Sequence, residues 1–291
     1  MWKRPIISRT LLAAAAMMLG AAAPDTPIAV EPWTIAGVSS PMWESHPAID
    51  PQTGDLWFVR SDVRFSGWRL YVARCAAGDW VDAVPAPIAA PGIEADPWFS
   101  PDGDILWFIS TRATGSRASR DMDIWRTRRL GKTGWSQSEH LPAPVNSDAA
   151  EWFPRVAPDG WLYFGSGRPG GFGGEDIWRA RQARNGDWQV ENVGAGLNGT
   201  GSEYEFLPAP DGKWAVLAAD DGLFRAVRTA DGWRRAEKFG PEINANHTEI
   251  GAMMAPDGSG FAFSRDAGEG GSGELFAARF KPSRNWPPHC P

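Results

Sequence analysis

Five glutamates recur at one position of a repeating pattern, and carboxylates are the groups in this chain best placed to do chemistry. Glu44, Glu94, Glu151, Glu203 and Glu249 each stand seven residues before a proline, at Pro51, Pro101, Pro158, Pro210 and Pro256. If the five units surround an axis, these side chains start the innermost strands and form a ring near one mouth of a channel. Carboxylates about 8 Å apart, at an effective dielectric of about 20, repel by roughly 2 kcal/mol per neighbouring pair, so something must neutralise or hydrogen-bond them. In one reading each accepts backbone N–H groups or an arginine, with Arg60, Arg112, Arg168 and Arg265 as candidates and Asp220 and Asp221 replacing the arginine in copy four. In the other the ring holds the hydroxyls of a ligand or a hard cation such as Ca2+ or Mg2+.

Aromatic residues that are not shared by all copies stand beside the glutamates: Trp43, Trp98, Trp152 and Tyr204. Residues that break a repeat are better functional candidates than those that obey it, because the fold does not require them. Aromatic faces beside carboxylates suit sugar rings or peptide side chains; the alternative is packing between units, the role expected for most of the 17 tryptophans. If the chain were a glycan hydrolase, Glu151 and Glu203 would be the first candidates for acid and for nucleophile or base. His46, His140, His247 and His289 show no metal spacing and no HExxH run is present, so no metal ligand is assigned. Gly165-Ser166-Gly167 lacks the Gly-x-Ser-x-Gly elbow of serine hydrolases, and the glycine-rich run at 168–174 reads as a loop.

The elements that position these residues are strands. Four of the five anchors read Pro-Asp-Gly and the first reads Pro-Gln-Thr-Gly, which is hairpin-turn chemistry. Each turn is followed by an aromatic-rich segment, as in LWF at 56–58 and LYF at 162–164. A third segment carries an aliphatic-aromatic pair, as in DIWRTR at 123–128 and DIWRAR at 176–181, and a fourth begins at a tryptophan. Four strands per unit predict an all-β, five-bladed propeller of four-stranded antiparallel blades. Six such fourth-strand tryptophans serve five turns, and the prolines after Trp286 lack ladder donors. The N-terminal segment Trp33–Ser39 is therefore expected to supply the outer strand of the fifth blade and close the ring.

The unit from Glu151 to Trp188, EWFPRVAPDGWLYFGSGRPGGFGGEDIWRARQARNGDW, resembles the TolB-type, WD-like β-propeller repeat of exported bacterial proteins. The resemblance covers nearly all of the chain after its leader; copies one and four depart most, with Arg69 and Gly222 in place of an acidic residue. It implies the fold and says little of activity, since such repeats serve many functions. The TolB protein itself has six blades, so its particular partners are not carried over. The implied role is a non-enzymatic module of the cell envelope that holds a protein, peptide or glycan at one propeller face. The alternative is a glycan-active hydrolase of the five-bladed arabinanase-like type.

Residues 1–22 have a basic head, an apolar run from Leu11 to Leu19 and small residues, the pattern of a cleaved export signal. Residues 23–291 then form one propeller domain, periplasmic or secreted, with no membrane span and expected to be a monomer. Loss of Lys3, Arg4 and Arg9 with the leader takes the formal charge from −6 to −9, which disfavours nucleic acid. Cys75 and Cys290 either form one bridge or remain two thiols; a closed ring would bring the chain's end back to the first blade.

Overall fold

The computed structural model describes residues 28–114, 121–266 and 273–290; the export signal expected at 1–22 lies outside them. Strand β1 (Ala29–Pro32) precedes five sheets. Blade one contains β2 (Trp43–Ile49), β3 (Leu56–Ser61), β4 (Arg69–Ala76) and β5 (Asp79–Pro85). Blade two contains β6 (Glu94–Phe99), β7 (Ile105–Ser110), β8 (Asp123–Leu130) and a fourth strand split into β9 (Gly134–Trp135) and β10 (Glu139–His140). Blade three contains β11 (Glu151–Val156), β12 (Leu162–Ser166), β13 (Asp176–Gln182) and β14 (Trp188–Asn192). Blade four contains β15 (Glu203–Pro208), β16 (Trp214–Ala219), β17 (Gly222–Thr229) and β18 (Gly232–Lys238). Blade five contains β19 (Ile250–Met254), β20 (Gly260–Asp266) and β21 (Gly273–Arg279), and its outer strand is β1.

All pairings are antiparallel, and the first strands of successive blades are neighbours around a closed circuit in which β19 returns to β2. The protein is a five-bladed β-propeller. The turns behave as their sequence requires: the N–H groups of Gly103, Gly160, Gly212 and Gly258 donate to the carbonyls three residues earlier at 2.8–2.9 Å, and each of these glycines has a left-handed φ between 64° and 80°. Apolar faces of adjacent blades pack on one another, as where Trp57 meets the edges of Phe99 and Trp135. Among the described residues no helix is long and apolar enough to cross a membrane.

The closing strand is Ala29–Pro32, which pairs with Arg279–Phe276, rather than the expected Trp33–Ser39. Trp33 keeps one ladder bond to the Leu275 carbonyl at 2.7 Å and then turns into the core, where its ring meets the edge of Trp80. The tail after β21 makes a second closure. Trp286 donates from Nε1 to the Ala278 carbonyl at 3.0 Å, and Cys290 is bonded to Cys75 on blade one, 215 positions away.

Candidate functional site

Each of the five repeat glutamates lies at the start of its blade and is nearly fully buried, between 0% and 2% exposed. Each is held by one recurring arrangement. The backbone N–H four residues earlier donates to the carboxylate, from Ser40, Ala90, Ser147, Gly199 and Ala245 at 2.8–3.2 Å. An arginine donates both to the carboxylate and to the carbonyl six residues before the glutamate. Arg60 joins Glu44 to the Val38 carbonyl, Arg112 joins Glu94 to Ile88, and Arg168 joins Glu151 to Val145. Arg265 joins Glu249 to Ile243. In blade four Arg235, from β18, joins Glu203 to Leu197, while Asp220 accepts from the Ser202 N–H at 2.8 Å. Each arginine also lies over a phenylalanine, as Arg168 does over Phe164 at 4.9 Å. Burial raises the Glu151 carboxyl above its ordinary range despite Ser147 and Arg168, and burial likewise pulls Arg168 and Arg112 downward.

The sequence-selected aromatics divide between the two ends of the first strands. Trp43 is buried, donates to Ser264 Oγ at 2.8 Å and packs on Phe65. Trp152 meets the edge of Trp68, and Tyr204 lies against Phe153, with burial raising the Tyr204 phenol. These three stand beside the glutamates. Trp98 is four residues beyond Glu94, toward the turn, and does not join them.

A second set of residues, which no sequence motif marks, lies two and four positions beyond the glutamates. The first strand of every blade carries a register shift there. His46, Asp96, Phe153 and Gly251 adopt left-handed φ of 51°, 56°, 49° and 66°, a conformation that costs a non-glycine residue on the order of 1 kcal/mol or more and persists only where packing enforces it. Gly251 is required for a further reason: a Cβ there would stand 2.7 Å from the His46 ring.

These bulges assemble a buried polar group from four blades. His46 Nε2 lies 3.2 Å from Asp96 Oδ1, and the other Asp96 oxygen accepts from the Phe153 N–H at 2.8 Å. Glu205 accepts from the N–H groups of Gly251 and Ala252 and from Arg155 Nη2, all at 3.0 Å. Burial, and then the charge of Arg155, lower the His46 pKa to about 3; burial pushes Asp96 up to about 7 and also raises Glu205. Arg155 lies over the rings of Trp98 and Phe153 at 5.2 and 5.6 Å. Its Nε and Nη1, and Trp98 Nε1, are buried donors without an acceptor among the described residues.

Trp98 also forms part of the wall of a cavity of about 700 Å3 at the turn-side mouth. All five blades and the C-terminal tail line it with largely apolar side chains, among them Pro47, Pro158, Pro208, Met253 and Trp286. Among the described residues no group of three or more His, Cys, Asp or Glu is arranged to hold a metal ion.

The fold has counterparts among solved structures. An endo-arabinase from Bacteroides thetaiotaomicron aligns with TM-score 0.51 at 14% identity, over 87% of this chain and 99% of that one. A family 117 glycoside hydrolase from Zobellia galactanivorans aligns with TM-score 0.54 at 11% identity, over 87% of this chain and 91% of that one. A GH62 α-L-arabinofuranosidase catalytic domain from Coprinopsis cinerea aligns with TM-score 0.50 at 12% identity, over 86% and 95%. At these identities the likeness shows the propeller fold alone. No protein-family model and no curated protein matches the chain.

Proposed function

We propose that this chain is a non-enzymatic binding propeller of the cell envelope, exported by its leader, that holds an apolar part of a protein or peptide at the turn-side mouth. The carrying observation is the division of labour among its polar groups. The seven carboxylates at the starts and bulges of the first strands, Glu44, Glu94, Glu151, Glu203, Glu249, Asp96 and Glu205, all accept from arginine, histidine or backbone donors. The turn-side cavity has the volume of a ligand pocket and walls that suit apolar groups better than glycan hydroxyls. The resemblance to TolB-type repeats supports an exported binding role.

A hydrolase reading rests on the elevated Glu151 carboxyl, the state a general acid needs, and on the fold shared with the endo-arabinase. Against it stands the repetition of the same clamp in all five blades, with every one of these carboxylates buried, because a catalytic pair must flank a glycosidic bond in a site the substrate can enter. A panel of arabinans, xylans and agars separates the readings. The binding reading expects no sugar release. Release by the wild type that is lost in Glu151→Gln would replace it with the hydrolase.

A further inference from the structure

Resting on the binding reading, we infer that the turn-side cavity receives the C-terminal end of a partner polypeptide, its apolar last side chains against the proline and methionine walls and its terminal carboxylate on Arg155 and Trp98.

The head group follows from what lies behind one wall of the cavity, where the lining residue Trp98 stacks on the guanidinium of Arg155. Arg155 is 2% exposed, and among the described residues only its Nη2 has an acceptor, Glu205. A buried guanidinium with free N–H groups is costly, and a charged acceptor is what best satisfies it. Glu205 does not depend on Arg155 alone, since the Gly251 and Ala252 N–H groups also hold it; the arginine can therefore share itself with a second carboxylate. Trp98, which lines the cavity, covers the guanidinium and brings a third donor, buried and without an acceptor among the described residues. All three donors are buried, so an incoming carboxylate must displace the Trp98 ring from the wall to pair with them.

The body of the ligand follows from the walls. Side chains such as Ile49, Phe99, Val156 and Met254 offer apolar contact without polar partners. The five first strands each pair on one side only, so their other edges present backbone groups toward the axis. A peptide's own N–H and C=O groups can pair with such edges, whereas an acyl chain would leave them unmet. Arg155 and Trp98 occupy a repeat position filled by Ala48, Leu207 and Met253 in the other blades, so the propeller itself does not require them.

The test passes a pool of hexapeptides over the immobilised protein, with the last three positions varied among Ala, Val, Leu, Phe and Met and either a free carboxylate or an amide at the end. Bound peptides are read by mass spectrometry. Retention of free-acid members at least about tenfold above their amides is expected, the scale of one charged hydrogen bond. Trp98→Phe, which keeps an aromatic face but replaces the indole and removes its N–H, should lower retention several-fold, and Met253→Trp, which fills the cavity, should abolish it. Equal retention of acids and amides, retention of neither, or displacement of the peptides by equimolar dodecanoate would overturn the inference. A protein that hydrolyses no glycan and retains no peptide loses this inference while the binding reading stands.

Discussion

Arg235 reaches Glu203 from the fourth strand of its blade, whereas in the other four blades the arginine lies at the end of the second strand or two residues past it. The donor pattern is nevertheless the same, down to the carbonyl six residues before the glutamate. One electrostatic requirement, a buried carboxylate that must be paired, is thus met by two routes through the chain.

Removing either kind of arginine should cost the same. Arg235→Met and Arg168→Met each leave a buried carboxylate without its cation, which typically destabilises by about 3–5 kcal/mol. Urea unfolding should place both variants at similarly lowered midpoints; a neutral Arg235→Met would show that blade four does not rely on this pair.

The tail closure should be worth a comparable amount. Bonding Cys290 to Cys75 closes a loop across 215 positions, and removing such a bridge costs about 2–5 kcal/mol. Cys75→Ser with Cys290→Ser, or the wild type in reductant, should melt lower by the same increment. Unchanged melting in both would mean that β1 alone fastens the ring.

Deleting the chain up to Pro32 should expose β21. Its unpaired edge, from Gly273 to Arg279, is a template for another strand. Light scattering after size exclusion should then detect dimers or larger species; a stable monomer of the truncated protein would contradict the role given to β1.

The His46–Asp96 pair gives a pH signature whose sign is opposite in its two single variants. His46 titrates at about 3 when folded against 6.5 ordinarily, so its contribution is present above pH 6.5 and is lost as pH falls toward 3. Asp96 titrates at about 7 against 3.8, so its contribution is present below pH 3.8 and is lost as pH rises toward 7. Between about pH 4 and 6.5 folded and unfolded pairs each hold one proton, and the slopes cancel. With Arg155 and Glu205 unchanged beside them, Asp96→Asn should lose stability on acidification from pH 6.5 to 4, and His46→Asn should lose it on the reverse change. Each slope is on the order of 1 kcal/mol per pH unit; slopes of the same sign in denaturant titrations would refute the assignment.

The propeller was legible because turn chemistry and strand patterning agree in every copy, from Pro51 to Pro256. The glutamate clamp was legible where its arginine kept a fixed offset, as at Arg60 and Arg265. Arg235 was not, because pairing 32 positions away depends on where β18 lies. Trp33 resembled the tryptophans that open fourth strands, yet it follows β1 and fills the core beside Trp80. His46, weighed only as a metal ligand, belongs with Asp96, Arg155 and Glu205, whose shared offsets from the glutamates were visible but whose convergence required the bulges. The turn-side cavity had no sequence signal, since it is made by prolines and methionines that each serve the local strand or turn.

The melting temperatures of the five single variants Glu44→Gln, Glu94→Gln, Glu151→Gln, Glu203→Gln and Glu249→Gln test most directly whether these carboxylates hold the fold together. All five should fall by about 5 °C or more, Glu151→Gln and Glu203→Gln no less than the rest. If those two instead melt at or above the wild-type temperature, as when a strained functional group is removed, the glutamates of blades three and four belong to an active site and the binding account fails.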